Sequence, residues 1–217
     1  MRVVIVASGE PMAADAAWLD GADLVVAADG GGAWLDRLGR RPDLLVGDLD
    51  SIDGSLVERL AGAGTEVERH PTDKEASDTE LALLAARSRG ATEIVLVGAL
   101  AGNRLDHELA NLLLLADPDL ADVPVTAVRG GTTVRVLRPG APLDLQAEAG
   151  DLVTLLPLGG DAGGVTTDGL RWPLTDATLR VGRSRGLSNE VVALPASVSL
   201  ADGLLLVIRT SSHGAHA

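Results

Sequence analysis

The chain has 217 residues, of which 46% are hydrophobic and 23% charged, values typical of a globular protein with a substantial core. Its formal net charge of −13 disfavours nucleic acid and anionic membranes as partners, because both repel a negatively charged surface. The lack of cysteine excludes disulfides, thiol catalysis and thiolate metal sites. Because a strand pattern, not a long apolar segment, opens the chain, we expect a soluble, cytoplasmic protein without a membrane span.

In the first half of the chain, short β-rich runs alternate with helical patterns. This alternation is typical of βαβ units, and a continuous apolar run such as Val-Val-Ile-Val predicts a parallel sheet that is covered on both faces. The predicted strands span residues 3–7, 24–28, 44–46, 66–69 and 94–97, and the predicted helices span 12–19, 33–38, 55–61, 77–89 and 105–115.

The second half has a different sequence pattern, with short strand-like runs separated by Gly, Pro and Asp and no helical periodicity long enough to indicate a helix. The predicted strands span 125–128, 132–137, 152–156, 178–181 and 204–208, which is typical of an antiparallel β-sandwich or barrel of roughly 90 residues. The predicted fold is therefore an N-terminal parallel-sheet α/β domain, residues 1–121, followed by a C-terminal antiparallel β-sandwich domain, residues 122–217. The end of the chain is predicted to fray, with His213 and His216 in solvent.

Aspartates cluster in two segments, 47–51 (Gly-Asp-Leu-Asp-Ser) and 73–80 (Asp-Lys-Glu-Ala-Ser-Asp-Thr-Glu), each after a strand-like run. The carboxyl end of a strand is where open α/β sheets bind ligands. Asp48, Asp50 and Asp78 could therefore meet at one point, which is tolerable around a hard cation such as Mg²⁺. The clusters predict phosphate chemistry.

Each acidic segment also has a purely structural interpretation. Asp50 or Ser51 could cap the helix that follows them. Asp78 could serve only to interact favourably with the dipole of a helix whose N-terminus Ser77 caps. If the two loops are neighbours, Asp78 joins the cation and Lys74 is available to a phosphate oxygen.

Two further segments of the first half follow strands. Residues 28–32 (Ala-Asp-Gly-Gly-Gly) could form an anion-binding turn at a helix start or an ordinary tight turn. They are not a dinucleotide fingerprint, and the chain has no P-loop motif. Within 103–107 (Asn-Arg-Leu-Asp-His), Arg104 is suited to bidentate phosphate contact, whereas His107 taken alone is more typical of a structural hydrogen-bonder.

The second half contains one aromatic residue, Trp172, within 166–174. It could be a core plug or a flat platform for a planar or cationic ligand. Residues 186–190 (Gly-Leu-Ser-Asn-Glu) offer small polar donors in a turn or simply a strand cap.

Taken in order, these motifs resemble the thiamine pyrophosphokinase family, and the match spans both predicted domains. The resemblance rests on Ala28-Asp29-Gly30-Gly31, Val46-Gly47-Asp48-Leu49-Asp50-Ser51, Asp73-Lys74-Glu75 with Asp78-Thr79-Glu80, Arg104-Leu105-Asp106-His107, Gly169-Leu170-Arg171-Trp172 and Gly186-Leu187-Ser188-Asn189-Glu190. It implies Mg²⁺-dependent transfer of diphosphate from ATP to thiamine, which releases AMP and thiamine diphosphate. It also implies a homodimer, with each active site between the α/β domain of one subunit and the β domain of the other.

The resemblance also implies roles for individual residues. The metal would be held by Asp48, Asp50 and Asp78. Catalysis near the phosphates would involve Asp50, Asp78, Lys74, Arg104 and Asp106, with Asp106 or Asp78 orienting or deprotonating the alcohol. The nucleotide would be bound by Asp29, Gly30, Gly31, Asp48, Ser51, Asp73, Thr79, Arg104 and His107, and thiamine by Trp172, Ser188 and Asn189. The chain departs from the family pattern at Leu49, Glu75, Ser77 and Asn103.

Two alternatives stay open at this point. One is a related diphosphokinase or nucleotide hydrolase of the same fold that acts on another substrate. The other is a non-catalytic thiamine or nucleotide sensor, against which the complete acidic set argues, because a sensor need not keep every metal ligand.

Overall fold

A computed structural model describes residues 1–100, 102 and 104–212 of the chain. Asn103 and the two histidines of the predicted frayed end, His213 and His216, lie outside the described residues. The chain divides into two compact units, Met1–Gly130 and Gly131–Ala217.

The first unit is built on a sheet of six parallel strands in the order β6-β5-β1-β2-β3-β4. The strands are β1 (Arg2–Val6), β2 (Leu24–Ala28), β3 (Leu44–Gly47), β4 (Glu66–Arg69), β5 (Glu93–Val97) and β6 (Val125–Arg129). Residues Val3–Val6 of β1 are fully buried, which confirms the predicted parallel sheet with both faces covered.

Among the described residues, four α-helices connect these strands: α1 (Gly31–Arg37), α2 (Gly54–Gly62), α3 (Asp78–Ser88) and α4 (Leu105–Leu114). The Ser77 hydroxyl accepts a hydrogen bond from the Glu80 backbone N–H (3.2 Å), which confirms the predicted cap of α3. The helix predicted over residues 12–19 is present as a 3₁₀ helix over Ala13–Leu19, and Pro118–Leu120 form a second 3₁₀ helix. The Asp15 carboxylate accepts hydrogen bonds from the backbone N–H groups of Met12 (2.8 Å) and Gly130 (2.6 Å) and so holds Ala13–Leu19 in place.

The second unit consists of two antiparallel sheets. One has the order β12-β9-β14-β7 and the other β11-β10-β13-β8. The strands are β7 (Thr132–Leu137), β8 (Leu143–Asp144), β9 (Leu152–Pro157), β10 (Ala162–Asp168), β11 (Ala177–Leu179), β12 (Asn189–Glu190), β13 (Ser197–Ser199) and β14 (Leu205–Thr210). Buried side chains from both sheets, such as Leu155, Val165, Val198 and Leu205, form one aliphatic core, which confirms the β-sandwich.

The boundary between the two units lies after Gly130 in the chain, whereas the predicted domain boundary lies at residue 122. The difference arises at β6, whose residues the sequence pattern predicts to belong to the β-rich half. Residues Val125–Val128 pair in parallel with Ile94–Val97 of β5 and thus extend the first sheet. Among the described residues, no helix is long and apolar enough to cross a membrane.

Candidate active site

A cavity of about 660 Å³ lies where the strands of the first unit end. The strand order reverses between β1 and β5, and ligands of open α/β sheets bind at this switch point, outside the carboxyl ends of the strands. The segments that follow the first five strands all line the cavity, through residues such as Ser8, Asp29, Asp48, Lys74 and Gly98.

Three carboxylates converge in this cavity. Asp29, Asp48 and Asp78 each present an oxygen, and these oxygens lie within 4.8 Å of one another. Asp29 is only 3% exposed, and its Oδ1 is a buried atom without a hydrogen-bond partner among the described residues. Burial raises the pKa of Asp29 above its ordinary value, and the negative charges of Asp78 and Asp48 add to that effect. Buried oxygens of this kind fit a hard divalent cation.

Lys74 lies between two of these carboxylates. Its Nζ is 2.8 Å from Asp48 Oδ2 and 3.1 Å from Asp78 Oδ1, and all three side chains are largely shielded from solvent. The hydrogen bond from Lys74 lowers the pKa of Asp48 below its ordinary value. The ammonium group therefore supplies the positive charge that keeps these two carboxylates close together.

Glycines allow the loops to approach one another here. At Gly47, where φ is +146°, an added Cβ would lie 2.9 Å from Asp78 Oδ1 and 3.2 Å from Asp29 Cβ. A side chain at Gly31 would clash with the carbonyl oxygen of Val6, so this buried glycine lets α1 pack closely against β1. Gly30 and Gly31 are not among the residues that line the cavity.

The remaining predicted residues of the acidic segments lie in different positions. Asp50 lines the cavity but is exposed, stands outside the three-carboxylate group, and accepts a hydrogen bond from the Ser51 hydroxyl (3.0 Å). Helix α2 is capped by Asp53, which accepts from the Ser55 N–H (2.7 Å), so neither Asp50 nor Ser51 has the capping role. Ser51 and the buried Thr79 line the cavity, whereas the exposed Asp73 does not.

Arg104 and Asp106 form a bidentate pair at the start of α4. Arg104 Nε donates to Asp106 Oδ1 (2.9 Å) and Nη2 donates to Oδ2 (2.6 Å). These hydrogen bonds lower the pKa of Asp106 to about 2. Both side chains are exposed, and together with His107 they line the cavity. A carboxylate with this pKa is a weak base at neutral pH, so Asp106 is better suited to orienting a group than to deprotonating it.

The second unit carries its own cavity of about 420 Å³, and all three predicted thiamine-facing residues line it. Trp172 is 59% exposed and therefore is not a core plug. Ser188 adopts φ +54°, and its N–H donates to Thr154 Oγ1 (3.0 Å). At Gly186 a side chain would clash with the carbonyl oxygen of Leu155.

Comparison with known proteins relates both units to one enzyme. The model "Thiamin pyrophosphokinase, catalytic domain" matches residues 16–127, and "Thiamin pyrophosphokinase, vitamin B1 binding domain" matches residues 142–205. The chain belongs to the thiamine pyrophosphokinase family. Thiamine pyrophosphokinase of Bacillus subtilis is 25% identical over 188 residues, 87% of each chain.

Solved structures agree with this membership of the thiamine pyrophosphokinase family. The crystal structure of thiamin pyrophosphokinase from Geobacillus thermodenitrificans is 30% identical, with 98% of each chain covered and a TM-score of 0.81. The Bacillus subtilis crystal structure has a TM-score of 0.86 at 24% identity and covers 98% of this chain and 100% of its own, which supports the fold.

Sequence reasoning missed several residues of the cavity. Ser8 and Gly9 follow β1, Gly98 follows β5, and Asn111 on α4 donates to the Ala99 carbonyl (3.0 Å). The rule that ligands bind at strand ends, applied to β1 and β5 as well as to the acidic segments, would have found the first three. Asn111 has no such signal, because it lies within an ordinary helical pattern.

Proposed function

We propose that this member of the thiamine pyrophosphokinase family transfers the terminal diphosphate of ATP to the hydroxyl of thiamine in an Mg²⁺-dependent reaction. The observation that carries the metal and phosphate part is the group of Asp29, Asp48 and Asp78, with a buried, unpartnered oxygen on Asp29. Family membership supports thiamine as the acceptor. The products are thiamine diphosphate and AMP.

The proposed metal ligands are Asp29, Asp48 and Asp78. The resemblance implies Asp48, Asp50 and Asp78 as ligands. We propose Asp29 in place of Asp50, because an oxygen of Asp29 lies within the same group as those of Asp48 and Asp78. Asp50 lies outside this group but lines the same cavity, where its carboxylate would be able to accept a hydrogen bond from a water molecule bound to the cation. Bound Mg²⁺ would neutralise charge on the phosphate oxygens.

Lys74 and Arg104 are the cationic side chains proposed to bind the phosphates. Each is paired with carboxylates in the structure, Lys74 with Asp48 and Asp78 and Arg104 with Asp106. Phosphate oxygens match the same bidentate geometry that Asp106 now uses on Arg104, so the guanidinium can exchange one partner for the other.

The proposed reaction is an in-line attack of the thiamine hydroxyl on the β-phosphorus of ATP. The new bond joins the thiamine oxygen to this phosphorus. The bond that breaks is the one from the β-phosphorus to the oxygen that links it to the α-phosphorus, so AMP leaves with that oxygen. Asp106 or Asp78 would orient the hydroxyl, and its proton would pass to Asp78 or to solvent. No covalent enzyme intermediate is needed.

Trp172, Ser188 and Asn189 are proposed to form the thiamine site. The Trp172 ring is exposed in its cavity, and the Arg171 guanidinium lies 5.8 Å from the ring centroid, which indicates that the ring surface accepts a cation. Thiamine carries a cationic thiazolium and an aromatic pyrimidine, and both groups suit such a surface.

We further propose a cytoplasmic homodimer in which each active site combines the acidic cavity of one subunit with the Trp172 cavity of its partner. None of the described residues that line the acidic cavity is Phe, Tyr or Trp, and none that lines the Trp172 cavity is acidic. Helix α4 exposes Leu105 (68%), Leu109 (52%) and Leu113 (59%) along one face, which is a suitable contact surface for a second subunit. The absence of cysteine is compatible with the proposed location, because the cytoplasm is a reducing compartment in which structural disulfides are rare.

Variants of the three carboxylates test the proposed metal site. Replacing Asp29, Asp48 or Asp78 with Asn should lower kcat by at least about a hundredfold, because one anionic ligand is lost from a site that must hold a cation. The control Asp20→Asn changes an exposed carboxylate outside the cavity and should retain activity. Near-normal activity of Asp48→Asn would remove the metal assignment.

A further inference from the structure

The side chain of Asn189 makes its hydrogen bonds to main-chain groups around Trp172. The Trp172 N–H donates to Asn189 Oδ1 (3.1 Å), and Asn189 Nδ2 donates to the Trp172 carbonyl (2.7 Å). The Glu190 N–H donates to the same Oδ1 (2.9 Å). Both acceptor positions of the amide oxygen and one of its two N–H groups are thus in use, so at most one N–H is left for a ligand.

The Trp172 ring depends on its backbone for its position. Because the ring is 59% exposed, core packing does not fix it in the way that it fixes a buried tryptophan. Hydrogen bonds from backbone N–H groups hold the chain on either side of Trp172 instead. The Arg171 N–H donates to the Glu190 carbonyl (2.8 Å), and the Leu174 N–H donates to Thr167 Oγ1 (2.9 Å). Between these two anchors, Asn189 supplies both hydrogen bonds at Trp172 itself.

We infer that Asn189 is a positioning residue, which holds the main chain at Trp172 so that the exposed ring faces the ligand, and that it acts on thiamine through this ring. The inference rests on the proposed function for the identity of the ligand. It differs from the role that the family resemblance gives Asn189, in which the side chain faces thiamine directly.

The first test measures the position of Trp172 without any ligand. Protein labelled with 5-fluorotryptophan should give three ¹⁹F resonances, from Trp18, Trp34 and Trp172, and Trp172→Phe assigns the third. In Asn189→Ala the Trp172 resonance should shift or broaden while those of Trp18 and Trp34 stay unchanged, which also shows that the variant is folded. An unchanged Trp172 resonance would overturn the inference.

The second test is a double-mutant cycle on thiamine binding, measured by titration calorimetry on the full-length protein. Asn189→Ala should weaken thiamine binding about tenfold in the wild-type background, as loss of a supporting residue commonly does. In the Trp172→Ala background the same change should have less than about a twofold effect, since no ring remains to be positioned. Equal losses in both backgrounds would indicate direct contact and overturn the inference.

A control and a separate outcome keep this inference distinct from the proposed function. Ser184→Ala changes an exposed serine outside the cavity and should leave thiamine binding unchanged. If Trp172→Ala itself leaves thiamine binding intact, the proposed thiamine site fails. The ¹⁹F result would still decide whether Asn189 positions the ring.

Discussion

Lys74 is the residue that balances the charge of two carboxylates in the acidic cavity. Its ammonium group lies 2.8 Å from Asp48 and 3.1 Å from Asp78, two of the three proposed metal ligands. A divalent cation that binds these oxygens must therefore compete with a charge that is already there. Once displaced, the side chain is available to the phosphates.

Replacing Lys74 with Met should separate these two roles. Mg²⁺ should bind the nucleotide-free variant at least about threefold more tightly, because a competing positive charge is removed from the carboxylates. The catalytic rate should fall, since a phosphate-binding cation is lost. Calorimetric titration with Mg²⁺ and steady-state kinetics measure the two effects, and Lys74→Arg serves as the charge-preserving control. Weaker Mg²⁺ binding to Lys74→Met would contradict the competition.

Gly47 shows how the end of one strand determines the geometry of the cavity. β3 ends at this residue with φ +146°, and the space where a Cβ would lie is bounded by Asp78 and Asp29. The close approach of the carboxylates therefore requires glycine at this point of the sheet.

Gly47→Ala should damage the cation site and also lower stability. We expect a loss of about 1–3 kcal/mol in the free energy of unfolding from backbone strain, together with weaker Mg²⁺ binding. The matched control is Gly62→Ala at the end of α2, where an added Cβ meets open space and φ is not positive. Denaturant unfolding and Mg²⁺ titration measure both effects, and a Gly47→Ala protein that behaves like Gly62→Ala would refute this role.

The elements differ in how far the sequence predicts them. Strands such as β1 follow directly from continuous apolar runs, and the cap at Ser77 follows from a local pattern. The position of β6 cannot be predicted in this way. Its parallel pairing with β5 depends on a partner distant in the chain and is not visible in the residues of β6 itself.

The same distinction applies to the site. Their position after strands predicts that Asp48 and Asp78 lie near one point. The inclusion of Asp29 in the three-carboxylate group and the exclusion of Asp50 depend instead on the directions of side chains within loops. Asn189 could be predicted to lie near the Trp172 segment through the resemblance. Its hydrogen bonds to the Trp172 main chain depend on how two loops meet in space, which spacing alone does not determine.

At the scale of the whole molecule, the composite active site of the proposed homodimer can be tested by mixing defects. Asp48→Asn and Trp172→Ala each impair a different cavity. If every active site combines cavities from two subunits, a heterodimer of these variants has one doubly defective site and one intact site. Purified with a different tag on each subunit, it should show about half of the wild-type activity, as two-fold symmetry requires. Activity no higher than that of the two variant homodimers would contradict the composite site.

We propose that the two cavities serve one reaction, diphosphate transfer from ATP to thiamine. The most direct measurement incubates the protein with ATP, Mg²⁺ and thiamine and follows AMP and thiamine diphosphate together. We expect both products to appear in equal amounts and neither to form when thiamine or Mg²⁺ is omitted. Release of AMP without thiamine diphosphate, as from a hydrolase, or binding of both substrates without any product, as in a sensor, would contradict it.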